Sequence, residues 1–191
     1  MFLGTRKFLS IAILCAIQRL SASAIPEYEV SSIEANVVTF SNAATFFVDF
    51  KDFIALQRWQ TRDSVDIIFS NRILFAPHKV AMIEGRRVIC PTFLLRNTSQ
   101  NNEYVVAFLE QPPTVPNPDT FSIVSIDRDH RTIILDNSTT WFYAEEAQFD
   151  VRMWKIGQII LIGLNGVFPP SPFDAVLFNT TEQRMIRAVQ Q

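Results

Sequence analysis

The chain has 191 residues, 17 of them Phe, with 19% charged side chains divided into 17 basic and 19 acidic. That length and apolar content suit a globular protein with its own core and exclude a disordered or highly charged chain. The slight acidic excess argues against nucleic acid or an anionic membrane surface as a default partner.

Taken in chain order, residues 1–24 read as a secretory signal peptide. Arg6 and Lys7 precede an apolar run from Phe8 to Ile17, and small residues lead to Ala22-Ser23-Ala24, an A-x-A cleavage site. The run is about half of the roughly 20 apolar residues needed to span a bilayer, so the mature chain is expected to start near Ile25 without a stable membrane span. Removing Arg6, Lys7 and Arg19 leaves 14 of the 17 basic residues against 19 acidic ones, net −5. Cys90 is then the only cysteine, so an exported chain has no internal disulfide, and the thiol reads as a small buried apolar group.

Residues 25–111 form a first β module. "VVTFSN", "TFFVDF", "SVDIIF", "TFLLRN" and "EYVVAF" are short runs rich in β-branched and aromatic residues, separated by Asn, Asp and Ser. Between the second and third runs, "KDFIALQRW" is the least strand-like stretch and reads as an irregular loop or a single helical turn. "QPPTVPNPD" ends the module, and residues 112–119 read as a stiff Pro-rich spacer that holds two modules apart unless they pack together. Residues 120–191 form a second β module: "RTIILD", "TTWFYA", "QIILIG", "AVLFNT" and "RMIRAV" follow in the same order.

The two series align as a tandem duplication. With Ser41 set against Asp136, Asn42 meets Asn137, Phe46 meets Trp141, Trp59 meets Trp154 and Ile67 meets Ile162 without a gap. "SIEANVVTF" matches "SIDRDHRTI" after a two-residue shift, and "LLRNTS" and "EYVVAF" match "VLFNTT" and "RMIRAV" further on. Five or six short strands in each copy predict a small barrel, because closing a sheet removes its edges. The expected fold is all-β, two small tandem barrels, with Trp59 and Trp154 each plugging one barrel end.

Chemistry-bearing residues are sparse. His78, His130 and Cys90 lie far apart at non-equivalent positions, and no spacing resembles a metal site, a phosphate loop or a nucleophile motif. No catalytic residue, metal or cofactor is expected. Asn97, Asn137 and Asn179 begin Asn-x-Ser/Thr sequences and suit turns, or glycan attachment in a eukaryotic secretory pathway. The copies differ most between Pro77 and Leu94, where the first carries "KVAMIEGRRVIC". This reads as an added hairpin turning at Glu84-Gly85, and Lys79, Arg86 and Arg87 on it are the candidate partner-binding residues.

In the second copy, "TIILDNSTTW", "WKIGQIILIGLN" and "LFNTTEQRMIRA" together resemble small exported proteins of unassigned function from chlamydia-like bacteria, which carry W-x-x-G-D-type β modules reminiscent of SH3-like barrels. The first copy departs from this pattern, with Arg62 in place of the Gly. The resemblance implies an exported or envelope location and a β fold, and it carries over no catalytic residue. The expected function is a non-enzymatic binding or structural protein of the periplasm, envelope or extracellular space, with a protein or envelope component as partner. Two alternatives remain: an envelope- or polysaccharide-acting hydrolase using Glu146 and Asp150 at a barrel mouth, and a host-directed interaction protein using the added hairpin.

Overall fold

The computed structural model describes residues 25–69, 80–83, 86–89, 92–166 and 172–191, with the backbone course alone for 80–83 and 86–89. Residues 1–24, read from the sequence as a signal peptide, and Lys79 and Cys90 lie outside these residues. The first half contains β1 (Tyr28–Glu34), β2 (Val37–Phe40), β3 (Thr45–Val48), β4 (Ser64–Phe69), β5 (Val80–Ile83), β6 (Arg86–Ile89), β7 (Thr92–Asn97) and β8 (Glu103–Gln111). The second half contains β9 (Phe121–Asp127), β10 (Thr132–Leu135), β11 (Thr140–Tyr143), β12 (Ile159–Asn165), β13 (Ala175–Asn179) and β14 (Arg184–Gln190).

Alternation decides most of these strands. Val38 and Phe40, Phe46 and Val48, and Phe93 and Leu95 are buried while their sequence neighbours are less so, the period-2 pattern of a sheet with one face on a core. Turns are set by side chains that imitate backbone. Asn42 Oδ1 accepts from the Ala44 N–H at 3.0 Å, and Asn137 Oδ1 accepts from Thr139 at 3.1 Å, each just before a residue of positive φ, Ala43 at 65° and Ser138 at 66°. Asn97 and Asn179 are fully buried and each cap the turn after their strand, whereas Asn137 is exposed.

In the first half the hydrogen-bonded order β1-β2-β3-β8-β7-β4 closes on itself where Tyr28 pairs with Val65 and Glu29 with Ser64, making a six-stranded barrel. The remaining strands continue the same sheet as β12-β13-β14-β11-β10-β9, and β9 returns to β12 through Ser122↔Ile159 and Phe121↔Ile160. β5 and β6 pair separately, Val80 opposite Ile89 and Ile83 opposite Arg86.

The junction is a parallel pairing of β4 with β12, Ile68 beside Leu164 and Phe69 beside Asn165. Each of these strands divides one edge in two. The N-terminal part of β4 pairs with β1 and its C-terminal part with β12, while β12 pairs first with β9 and then with β4. Being covered on both sides, β4 and β13 are buried almost throughout, and this is why their sequences are mostly apolar rather than alternating, with the buried Asp66 of β4 paired to Arg96.

The Pro-rich segment therefore does not hold the halves apart. The Thr114 N–H donates to the Asn42 carbonyl at 3.2 Å, and Asn42 Nδ2 reaches the Asp119 carbonyl at 3.4 Å, so the segment lies along the first half. Leu161, Val176 and Phe178 of the second half belong to the apolar core of the first, where Phe178 meets Phe93 edge-on at 5.3 Å. The Tyr28 hydroxyl donates to the Ile162 carbonyl at 2.8 Å and accepts from the Ile162 N–H at 3.1 Å. Gly163 permits the approach, since a Cβ there would lie 2.4 Å from the Ile67 carbonyl oxygen. Apolar burial outweighed the stiffness of the spacer.

Candidate binding surface

The direction of the strands places one segment of each half across an end of its strands. β3 is antiparallel to β8, β8 to β7 and β7 to β4, so β3 finishes and β4 begins at the same end. Residues 49–63 must cross that end, and they form the first cap. By the same chain of pairings, β11 to β14 to β13 to β12, residues 144–158 form the second cap. Because β4 and β12 run parallel, both caps close the same end of the molecule.

Each cap is a 3₁₀ turn followed by one turn of α-helix, Phe50–Asp52 then Phe53–Leu56, and Glu145–Ala147 then Gln148–Val151. The Asp49 side chain accepts from the Lys51 N–H, and Asp52 Oδ2 accepts from the Val106 N–H at 2.8 Å, tying the first cap to β8. Three-residue spacing turns one face inward: Leu56 and Trp59, and likewise Val151 and Trp154, are buried. Neither indole N–H has a hydrogen-bond partner among the described residues, so these rings hold the barrel end by apolar packing alone.

The other face of each cap points out and is apolar. Phe50 is 81% exposed, Ile54 73%, Ile156 70% and Phe149 69%, the four most exposed large apolar side chains among the described residues, with Met153 beside them. Phe50 stacks on Phe53, ring centroids 6.2 Å apart. Single exposed apolar residues are ordinary, but a cluster at one end marks an interaction surface.

Charge is distributed unevenly around this face. On the second half Glu146 pairs with Arg187, Asp150 with Arg184, and Glu145 with Arg131 at 3.7 Å. Arg58 pairs with Glu103 on the first half. Glu146 and Asp150, the acids expected of a hydrolase, are thus each neutralised by their own arginine. Arg128, Arg152 and Lys155 have no carboxylate partner among the described residues, and Arg128 reaches the Trp154 carbonyl at 3.4 Å. At the nearby turn the His130 backbone N–H and ring hold Asp127 below the usual carboxylate range, and that carboxylate raises His130 in return.

Arg86 and Arg87, expected to bind a partner, lie on β6 opposite Ile83 and Met82, and Lys79 lies outside the described residues. Nothing in the pairings brings that hairpin into the twelve-stranded sheet. Among the described residues no group of three or more His, Cys, Asp or Glu side chains is placed to hold a metal. The cap face was not singled out in the sequence, although a signal existed: Phe50 and Ile54, and Phe149 and Met153, repeat at four-residue spacing, out of step with the inward pairs. No protein-family model, no curated protein and no solved structure matches this chain.

Proposed function

We propose that the chain is an exported, non-enzymatic binding protein of the cell envelope, built by tandem duplication of one SH3-like barrel module, and that it binds through the face formed by its two caps. The observation that carries this reading is the placement of equivalent apolar residues, Ile54 and Phe149, on equivalent turns that close one end of the molecule. Two contact points on one rigid body raise avidity for an extended target without any change in either contact. The added hairpin with Arg86 and Arg87 is a separate place for a partner and is tested alongside.

The experiment is sedimentation of purified chain with an isolated envelope fraction, comparing the unaltered protein, the double variant Ile54→Ser/Phe149→Ser, and a variant lacking Val80 to Val88. The unaltered chain is expected to sediment with the envelope and the cap variant to remain soluble with an unchanged circular dichroism spectrum. Loss in the hairpin variant alone would move the site to β5 and β6. Equal sedimentation of all three, or of none, would overturn binding by the caps.

A further inference from the structure

Resting on that reading, we infer that the cap face docks on the surface of an anionic lipid bilayer, with the apolar side chains entering the headgroup region and the basic ones meeting lipid phosphates. The form of the surface is the first reason. Phe50, Ile54, Phe149, Met153 and Ile156 are each more than half exposed on or beside short helical turns, so they project into solvent. A fluid interface accepts projecting side chains, whereas a folded protein partner needs a matching concavity.

Level is the second reason. The relation that carries the first half onto the second maps β4 onto β12 without reversing its direction. Its rotation axis therefore runs along these strands. Ile68 pairs with Leu164, one residue beyond its equivalent Gly163, so equivalent points are displaced along that axis by only one residue, roughly 3.3 Å. The two caps stand at nearly the same height, and a plane can touch both. Interfacial segments sink on the order of 5–10 Å into a bilayer, which exceeds that offset.

Charge is the third reason. The chain is acidic overall, yet Arg128, Arg152 and Lys155 on the second cap side, and Lys51 on the first, have no carboxylate partner among the described residues. The acids around them are mostly engaged: Glu145, Glu146 and Asp150 by arginines, Asp127 by His130, Asp49 by the Lys51 N–H and Asp52 by the Val106 N–H, leaving Asp129 and, on the β1–β2 turn at the same end, Glu34 exposed without a cationic partner among the described residues. The end face thus presents unpaired cations around apolar tips, the complement of an anionic headgroup layer. No helix among the described residues is long and apolar enough to cross a membrane, and this docking requires none.

The test is co-sedimentation with vesicles of phosphatidylcholine alone and of phosphatidylcholine with a third phosphatidylglycerol. The chain from Ile25 onward is used, because the apolar run before it would enter lipid by itself and all pairings among the described residues lie after it. Binding is expected to the anionic vesicles, weakening as salt rises. Phe149→Ser or Ile156→Ser should lower the partition coefficient by about tenfold, as expected for withdrawing one large apolar side chain. Arg152→Glu/Lys155→Glu should abolish the preference for anionic vesicles. Absence of binding to either vesicle, binding unchanged by the cap variants, or a cap-dependent dimer that leaves vesicles unbound would each overturn the inference. Cap-dependent binding to the envelope fraction with none to vesicles would refute the lipid partner specifically and leave the binding function standing.

Discussion

The corners that lead into β4 and β12 do the same work with different residues. In the first half Asp63 Oδ2 accepts from the Gln60 N–H at 2.8 Å, from Asn97 Nδ2 at 2.7 Å and from Gln100 Nε2 at 3.0 Å. In the second half Gln158 Oε1 accepts from the Lys155 N–H at 2.8 Å and from Asn179 Nδ2 at 2.7 Å, while its own Nε2 donates to Glu182 at 2.7 Å. The acid and the amide have changed places across one hydrogen bond. A buried polar group must be satisfied but not by any one residue, so the bonding pattern persists where residue identity does not.

The junction differs in the opposite way, because it uses residues found on one side only. Tyr28 corresponds in the pairing pattern to Phe121, and Gly163 to Ile68; the hydroxyl and the missing side chain each occur once. The largest expected effect follows from this. Gly163→Ala sets a methyl against the Ile67 carbonyl and the Phe69 ring, the latter at 2.6 Å, and neither can move without parting β4 from β12. We expect a loss of about 3 kcal/mol by urea unfolding, against little change for Ile68→Val. An unaltered midpoint for the glycine variant would show that the halves do not meet as described.

Tyr28→Phe removes the hydroxyl that serves both polar groups of Ile162, leaving an N–H and a carbonyl buried, and should lower stability by about 2 kcal/mol. Burial also raises the Tyr28 pKa well above its ordinary range. The sign is fixed by linkage: the unfolded chain ionises near pH 10 while the folded protein does not, so the contribution is complete below about pH 10 and is lost as pH rises beyond it. Alkaline unfolding curves should therefore fall more steeply for the unaltered protein than for Tyr28→Phe. Tyr143, also raised by burial, gives a shallower residual slope in both. Parallel curves would exclude a buried neutral Tyr28.

Transplanting one corner into the other sharpens the first comparison. Asp63→Gln alone should cost about 1.5 kcal/mol, and adding Gln100→Glu, which recreates the Gln158–Glu182 arrangement, should recover about 1 kcal/mol in a double-mutant cycle. Strict additivity would mean that the two networks are similar only in outline.

The strands of both halves were legible because "SVDIIF", "TFLLRN", "QIILIG" and "RMIRAV" carry their own β preference, and Asn at a strand end announces its turn. The parallel meeting of β4 and β12 was not. Local pattern governs which face of a strand is buried but not which distant edge it joins, and a doubly buried strand reads the same whether its cover is its own barrel or another. Gly163, breaking the apolar run of β12, was the one local sign of close approach. The caps were hidden for a different reason: outward Phe50 and Ile54 and inward Leu56 and Trp59 fall within the same ten residues. In the second cap the alternation is closer still, outward Phe149, Met153 and Ile156 enclosing inward Val151 and Trp154, and such a stretch has no single period.

The smallest effect expected, and the most pointed, concerns one backbone angle. Arg62 and Gly157 occupy the same step of the two corners, at φ 73° and 84°, with N–H groups donating to Val30 at 2.7 Å and Ile123 at 2.8 Å. A side chain in this left-handed region costs about 1 kcal/mol, and glycine's greater freedom in the unfolded chain returns roughly half of that. Nothing lies within 4 Å of a Cβ added to Gly157, so Gly157→Ala should destabilise through the backbone alone. Arg62→Gly relieves the equivalent strain, and since Arg62 is exposed and has no ion partner among the described residues, it should raise the midpoint slightly. Thermal unfolding of the two variants should thus shift in opposite directions, about 0.5 kcal/mol down for the alanine and about 0.5 kcal/mol up for the glycine. Shifts of the same sign would mean that the corners, despite matching hydrogen bonds, do not bear the same strain.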